Sequence, residues 1–521
     1  MPRRREPDDA GSMSFLRRPR ATLVASAIAV ISAIGIAATV SGCGFVGGGT
    51  ISTIGEVEFD SPLAIPPLAE SHIDDRGRRV FDLTAQRSAS EFVDGRTTTT
   101  WGFNQDYLGP TLRAARGESV LVNVHNALDV PTTVHWHGMH LPARMDGGPH
   151  QMIAAGADWS PTWTIDQPAT TLWYHPHPHG KTEKHVTMGL AGLFILDDPV
   201  EAALPLPRDY GVDDIPVIVQ DVRFTDDGQL TTSTRGFVGP VGDQLLVNGT
   251  LGPYLDVTTD VVRLRLLNGS AARVYDFGLS DGRDLALIAT DGGLLEQPYE
   301  TGHVQLSPGE RAEVLVRMSP GESVTLRSTP PDLGLDTITA GMNAGNDGFD
   351  ILELRAAETL ASVGIVPATL APIERLDESA ASVRRDFRLS GFEINERGMD
   401  MSRIDEVVTV DTTEIWSVTN EQRMPHSFHV HDVQFQVLSV AGAPPPPELA
   451  GWKDTVYLRP QTEFRLILRF TDYTDPDFPY MYHCHLLWHE DMGMMGQFVV
   501  IGPDEQVGAP PLTNEGHDHD H

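Results

Sequence analysis

With 521 residues, 40% apolar and 21% charged, the chain is too long for a single hydrophobic core and suits about three domains. Its 49 glycines and 38 prolines favour a turn-rich β protein over a helical bundle. A formal net charge of -34 excludes nucleic acid and other polyanions as partners and tolerates metal cations.

In chain order, Arg3, Arg4, Arg5, Arg17, Arg18 and Arg20 precede an apolar run from Ala21 to Val40 that ends at Ser41-Gly42-Cys43. A basic head, an apolar middle and small residues before a break describe an export signal over residues 1–42. The run is also long enough for a membrane helix. Its small-small-Cys ending resembles a bacterial lipobox, which implies a lipidated Cys43 at the mature N-terminus. That anchors the chain to the outer face of the cytoplasmic membrane or the cell envelope. Arg17-Arg18 hints at twin-arginine export and leaves the route open. Residues 43–60, with Gly47-Gly48-Gly49, read as a flexible tether.

The rest of the chain carries a weak threefold repeat. Ser119 to His125 alternates like a strand and reaches Asn126, Pro131 and His135-Trp136-His137. Val407 to Val410 opens a similar segment leading to Asn420, Pro425 and His429-Val430-His431. The middle third keeps the strand, Val261 to Asn268, but the residue nine past its asparagine is Phe277. A second motif recurs as well: Trp173-Tyr174-His175-Pro176-His177 matches Met481-Tyr482-His483-Cys484-His485, with Pro176 in the Cys484 place and Thr132 in the His426 place.

The two-residue period of a strand aims both imidazoles of each His-x-His pair the same way and puts Cys484 on the opposite face from His483 and His485. Eight imidazoles from the first and last repeats, facing across an interface, can hold three metal ions. Cys484, His489 and Met494 add a thiolate, an imidazole and a thioether, the ligand chemistry of a copper electron-transfer site with a weak axial methionine. A Cys43–Cys484 disulfide would consume that thiolate, so none is expected.

The motifs His-Trp-His-Gly, Trp-Tyr-His-Pro-His, His-Ser-Phe-His-Val-His and His-Cys-His-Leu-Leu-Trp-His-Glu-Asp-Met-Gly-Met-Met resemble the copper signatures of the three-domain multicopper oxidases, in particular bacterial copper efflux oxidases and laccases. The likeness covers about residues 60–503, and Gly451-Trp452-Lys453-Asp454 and Asp146-Gly147-Gly148 also fit it. It implies an all-β chain of three cupredoxin-like Greek-key β-sandwich domains, at 61–205, 206–374 and 375–505. The middle domain would hold no copper. It further implies four copper ions: type 1 on His426, Cys484, His489 and axial Met494; type 2 on His135 and His429; and a type 3 pair on His137, His175, His177, His431, His483 and His485. Electrons taken at the type 1 site would cross Cys484 and the adjoining backbone to His483 and His485.

Family members couple four one-electron oxidations to the reduction of O2 to two waters, and carboxylates matching Asp146 and Glu490 are linked to proton delivery. The alternative for these two acids is to orient ligand imidazoles. Met424, two before His426, matches a methionine that binds substrate Cu(I) in copper efflux oxidases; the carboxylate expected two residues earlier is replaced by Gln422, with Glu421 beside it. Met399 and Met401 contribute if their loop folds over. The resulting expectation is a monomeric cuprous oxidase of copper detoxification, with a laccase-type oxidase of phenols as alternative and an envelope copper carrier or store as the rival of another class. His140, His150, His179 and His185 match no ligand position. The tail, 506–521, rich in His and Asp, reads as disordered.

Overall fold

A computed structural model describes residues 50–231 and 237–511, and the backbone of 234–235. The export signal, Cys43 and the His/Asp-rich segment from residue 512 lie outside the described residues. Among those described, no helix is long and apolar enough to cross a membrane.

The chain folds as three successive β-sandwiches of cupredoxin type. Their common plan follows from the repeat. In the first, Leu112–Ala115 runs parallel to Gly192–Asp197, which pairs antiparallel with Thr170–His175, which pairs with His135–His137. The third has Glu406–Thr409, Met495–Ile501, Tyr480–Cys484 and His426–Val430 in the same order and sense. The second has Pro253–Thr259, Phe349–Ala361, Ser323–Thr329 and Tyr275–Leu279. Phe277 therefore stands where His135 and His429 stand in the flanking sandwiches. The facing sheets repeat as well, each with one parallel pair: Arg79–Val93 with Ser119–Asn126, Asp214–Val222 with Val261–Asn268, and Ala381–Ser390 with Thr412–Asn420.

Alternation seals each sandwich. Val120, Val122 and Val124 point inward with Phe81, Trp136 and Phe194; the third core gathers Trp416, Val418, Phe428, Phe498, Cys484 and Met494. The repeated asparagine has a physical cause. Asn126 sends its amide N–H groups to the Val130 and Ile153 carbonyls and accepts from the Leu128 N–H. Asn268 does the same with Arg273, Leu306 and Ser270, and Asn420 with Met424, Leu458 and Gln422. A buried amide thus satisfies three backbone groups where the chain turns from one sheet to the other.

Both ends of the expected globular region extend beyond their sequence limits. Residues 51–60 lie on the body and not in a tether: Ile51 and Gly55 donate backbone N–H groups to Asp347 and Asp350, and Ser61–Pro62 pairs with Pro253–Thr259 of the second sandwich. At the other end, residues 506–511 are laid on the body: Gly508 N–H bonds the Pro476 carbonyl, and the Pro511 carbonyl accepts from His150 Nδ1–H.

Candidate metal centres

The four His-x-His segments meet between the first and third sandwiches. His135 stacks on His431 with ring centroids 3.8 Å apart, and His137 on His429 at 3.7 Å. Eight buried imidazoles, among them His177 and His483 from positions 306 residues apart in the chain, thereby form one cluster. The six residues implied for the type 3 pair divide into two groups, His137/His175/His485 and His177/His431/His483, each with one nitrogen per residue within 4.8 Å of the others.

Hydrogen bonds decide which nitrogen carries a proton. A ring nitrogen facing a carbonyl must donate to it. His175 donates from Nδ1 to the Pro176 carbonyl, and His137 from Nε2 to Asp454, so the two nitrogens they turn toward each other, 3.4 Å apart, are both lone pairs. In the other group His431 donates from Nδ1 to Asp146 and His483 from Nδ1 to the Cys484 carbonyl, leaving their Nε2 atoms face to face at 3.3 Å. Two lone pairs at such distances repel unless a cation lies between them. His135 and His429 donate from Nδ1 to the Asp146 and Asp454 carbonyls, each at 2.9 Å, and their buried Nε2 atoms meet no partner. Burial first, then neighbouring imidazoles, holds His137, His429 and His431 well below the ordinary histidine pKa, and His483 stands at about 3. These four are neutral imidazoles, the form that binds transition metals.

The second centre lies on the other face of the same strand. Cys484 Sγ is 3.6 Å from Nδ1 of both His426 and His489, and those two nitrogens are 3.2 Å apart. His489 donates from Nε2 to the Phe237 carbonyl, which again leaves Nδ1 as a lone pair. Met494 is buried in the same apolar core as Cys484, and its carbonyl accepts the Cys484 N–H. Burial pushes the free Cys484 thiol up to about 12, so it becomes a thiolate when a soft cation displaces the proton.

Carboxylates brace both sides of the histidine cluster. Asp146 Oδ2 accepts from His431 and its Oδ1 lies 3.4 Å from His135 Nδ1. Glu490 lies 3.5 Å from His177 Nδ1 and 3.3 Å from His483 Nδ1, and accepts the Thr182 hydroxyl at 2.5 Å. Asp454, which the sequence reading quoted only as part of a motif, holds His137. The middle sandwich contributes supports that sequence reasoning missed: Arg311 on Asp454, Gly309 against His485, and the Phe237 carbonyl on His489. Their chain neighbours carried no pattern that pointed across a domain interface.

Met424 lines a hollow of about 450 Å³ together with Phe237, Met342, Glu421, Gln422 and Arg423. Met342 is a second thioether there, from a short helix of the middle sandwich that the sequence did not single out. Met399 instead packs against Gly493, with its N–H on the Gly493 carbonyl. His140 pairs with Asp432, His150 with Gln497 and the Pro511 carbonyl, and His185 with Thr132; with His179 they lie outside the metal-type groups found among the described residues.

Multicopper oxidase family models match residues 84–201, 219–325 and 370–504. A protein of Dickeya dadantii named cell division protein FtsP is 38% identical over 447 residues, covering 84% of this chain and 92% of its own length; the Escherichia coli protein of that name is 38% identical over 448 residues with the same coverage. Among solved structures, the laccase-like multicopper oxidase CueO of Ochrobactrum sp. is 37% identical with a TM-score of 0.76, covering 84% of this chain and all of that one. McoA of Aquifex aeolicus is 30% identical with a TM-score of 0.77, covering 86% and 100%. Three matched domains, the shared fold and clustered imidazoles whose lone pairs converge establish that this chain belongs to the multicopper oxidase family.

Proposed function

We propose that this chain is an exported copper oxidase, lipid-anchored at Cys43, that couples four one-electron oxidations of Cu(I) to the reduction of O2 to two waters. Four copper ions would be held: one by His426, Cys484, His489 and Met494; one by His135 and His429; and one by each histidine triad, His137/His175/His485 and His177/His431/His483. The observation that carries the reading is the pair of buried triads beside a thiol centre on the same strand. Copper supplies reversible one-electron exchange at the thiolate centre and oxygen reduction at the histidine cluster.

The chain's part is to connect, orient and protonate. The backbone from His483 through Cys484 to His485 is a continuous covalent path between the two centres. Glu490, whose carboxyl burial pushes well above the usual range, keeps a proton beside His177 and His483. Asp146 keeps one oxygen free of any partner beside His135. These are the groups proposed to deliver protons. Met424 and Met342 would offer thioethers to Cu(I) at the hollow.

The test follows O2 uptake by the copper-loaded soluble form beginning after Cys43, with stabilised Cu(I) and, separately, a bulky phenol, for wild type and Met424→Leu. Cuprous turnover that falls about tenfold in the variant while phenol turnover holds is the expected result. Phenol turnover without enzymatic cuprous activity would make this a laccase. A second reading, a role in cell division, is favoured by the name of the FtsP relatives. Full copper with no O2 uptake from either reductant would bring forward that role, or a copper store, over the oxidase.

A further inference from the structure

Arg311 opens the strand Arg311–Arg317 of the middle sandwich, which among the described residues contributes to none of the metal-type groups. Its guanidinium is wholly buried, and all five of its N–H donors are engaged. Nε donates to the Thr171 carbonyl at 3.0 Å, in the first sandwich. Nη1 donates to the Gly309 carbonyl at 3.1 Å and to Asp454 Oδ1 at 2.7 Å; Nη2 donates to the Asp291 carbonyl at 3.1 Å and to Asp454 Oδ2 at 2.6 Å. One planar cation therefore joins all three domains, with a bidentate grip on a carboxylate of the third.

What Arg311 holds in turn touches three of the clustered histidines. Asp454 Oδ1 accepts from His137 Nε2 at 3.0 Å, while the Asp454 backbone carbonyl accepts from His429 Nδ1 at 2.9 Å. This one residue thus turns opposite nitrogens of two stacked rings toward the other histidines, Nδ1 of His137 and Nε2 of His429. The Gly309 turn, whose carbonyl Arg311 fixes, lies against His485: a Cβ on Gly309 would come within 2.9 Å of His485 Nδ1. The first sandwich is fitted to the same pair. A Cβ on Gly138, the glycine of His-Trp-His-Gly, would meet Asp454 Oδ2 at 2.5 Å and Arg311 Nη2 at 2.7 Å.

We propose that Arg311 is a positioning residue for the histidine cluster, setting through Asp454 which nitrogens of His137 and His429 face the metal and through Gly309 the seat of His485. This rests on the copper reading of the preceding subsection. Lysine keeps the charge but has no planar fork to hold Asp454 and Gly309 together.

The experiment compares copper-loaded wild type with Arg311→Lys, measuring copper per chain, chelator competition and the absorption of the Cys484 centre. Supports one layer behind metal ligands are worth about 10- to 100-fold in affinity. A loss of that size at the histidine cluster, with the Cys484 absorption unchanged, is the expected result. Wild-type affinity at the cluster in Arg311→Lys overturns the proposal. A wild type that itself takes up no copper at the cluster overturns the copper reading and this proposal with it. Thr455→Val leaves every charge in place and removes only the hydroxyl that bonds Asp454, His137 and His429; it tests the Asp454 linkage by itself if Arg311→Lys does not fold. Unchanged cluster affinity there also counts against the Asp454 linkage.

Discussion

His140 carries a charge where His137, His429, His431 and His483 carry none. Burial pulls its pKa down, but the Asp432 carboxylate at 2.7 Å and Asp472 at 3.4 Å outweigh it and raise the imidazolium to about 9. With an unfolded value near 6.5, its contribution to stability is complete below about pH 6.5 and is lost as pH rises through about 9. His140→Gln should be less stable than wild type at pH 6 by up to about 3 kcal/mol and should show a smaller loss of stability between pH 6.5 and 9. Denaturant melts across that range check it. His137 and His431 also donate to carboxylates, but deeper burial and neighbouring imidazoles keep them neutral, whereas two carboxylates on His140 outweigh its burial.

Elements act through their ends. The strand Tyr480–Cys484 separates two chemistries by alternation alone, His483 toward the first sandwich and Cys484 into the third core. The helix Leu487–Asp491 then reaches across, because Asp491 accepts the Thr182 and Glu183 N–H groups and so caps a helix of the first sandwich that has no side-chain cap of its own. The three asparagine turns are the clearest link between repeat and structure. Asn268 lies in the sandwich that, among the described residues, contributes to none of the metal-type groups, so its energetic role can be read without metal binding. Asn268→Leu would strand two carbonyls and an N–H and should cost about 2–4 kcal/mol, read from the midpoint of chemical denaturation of the copper-free protein.

At the scale of the molecule, the histidine cluster belongs to no single domain. Its histidines come from the first and third sandwiches and some of its supports from the second, so metal held there would stabilise the assembled arrangement rather than any one part. Removing copper should lower the midpoint of thermal unfolding; at a free concentration of about 100 Kd the metal contributes about 2.7 kcal/mol per site. Calorimetry of loaded and chelated protein checks this, and one cooperative transition becoming two on chelation would show the domains uncoupling. The buried charge layer of Arg311, Asp454, Asp291, Lys453 and Glu310 remains as the polar tie between domains when the metal is gone.

Much of the candidate site was legible in the chain itself. Strand alternation placed His483 and His485 opposite Cys484, and the count from each asparagine set Phe277 level with His135 and His429, because both rest on local periodicity and on a turn that three buried amides close in the same way. The partition of six histidines into two triads was not legible, nor was the protonated nitrogen of each ring. For His137 and His431 the proton position depends on Asp454 and Asp146, which are 317 and 285 positions away in the chain. Arg311, Gly309, Met342 and Phe237 escaped notice for the same reason: each acts through an interface between sandwiches, and side-chain direction across an interface is set by how the domains dock. Residue type and spacing determined what chemistry this protein carries, since both are properties of the local chain; packing of the three sandwiches alone decided which atoms face one another, since only burial removes the water that would otherwise satisfy them.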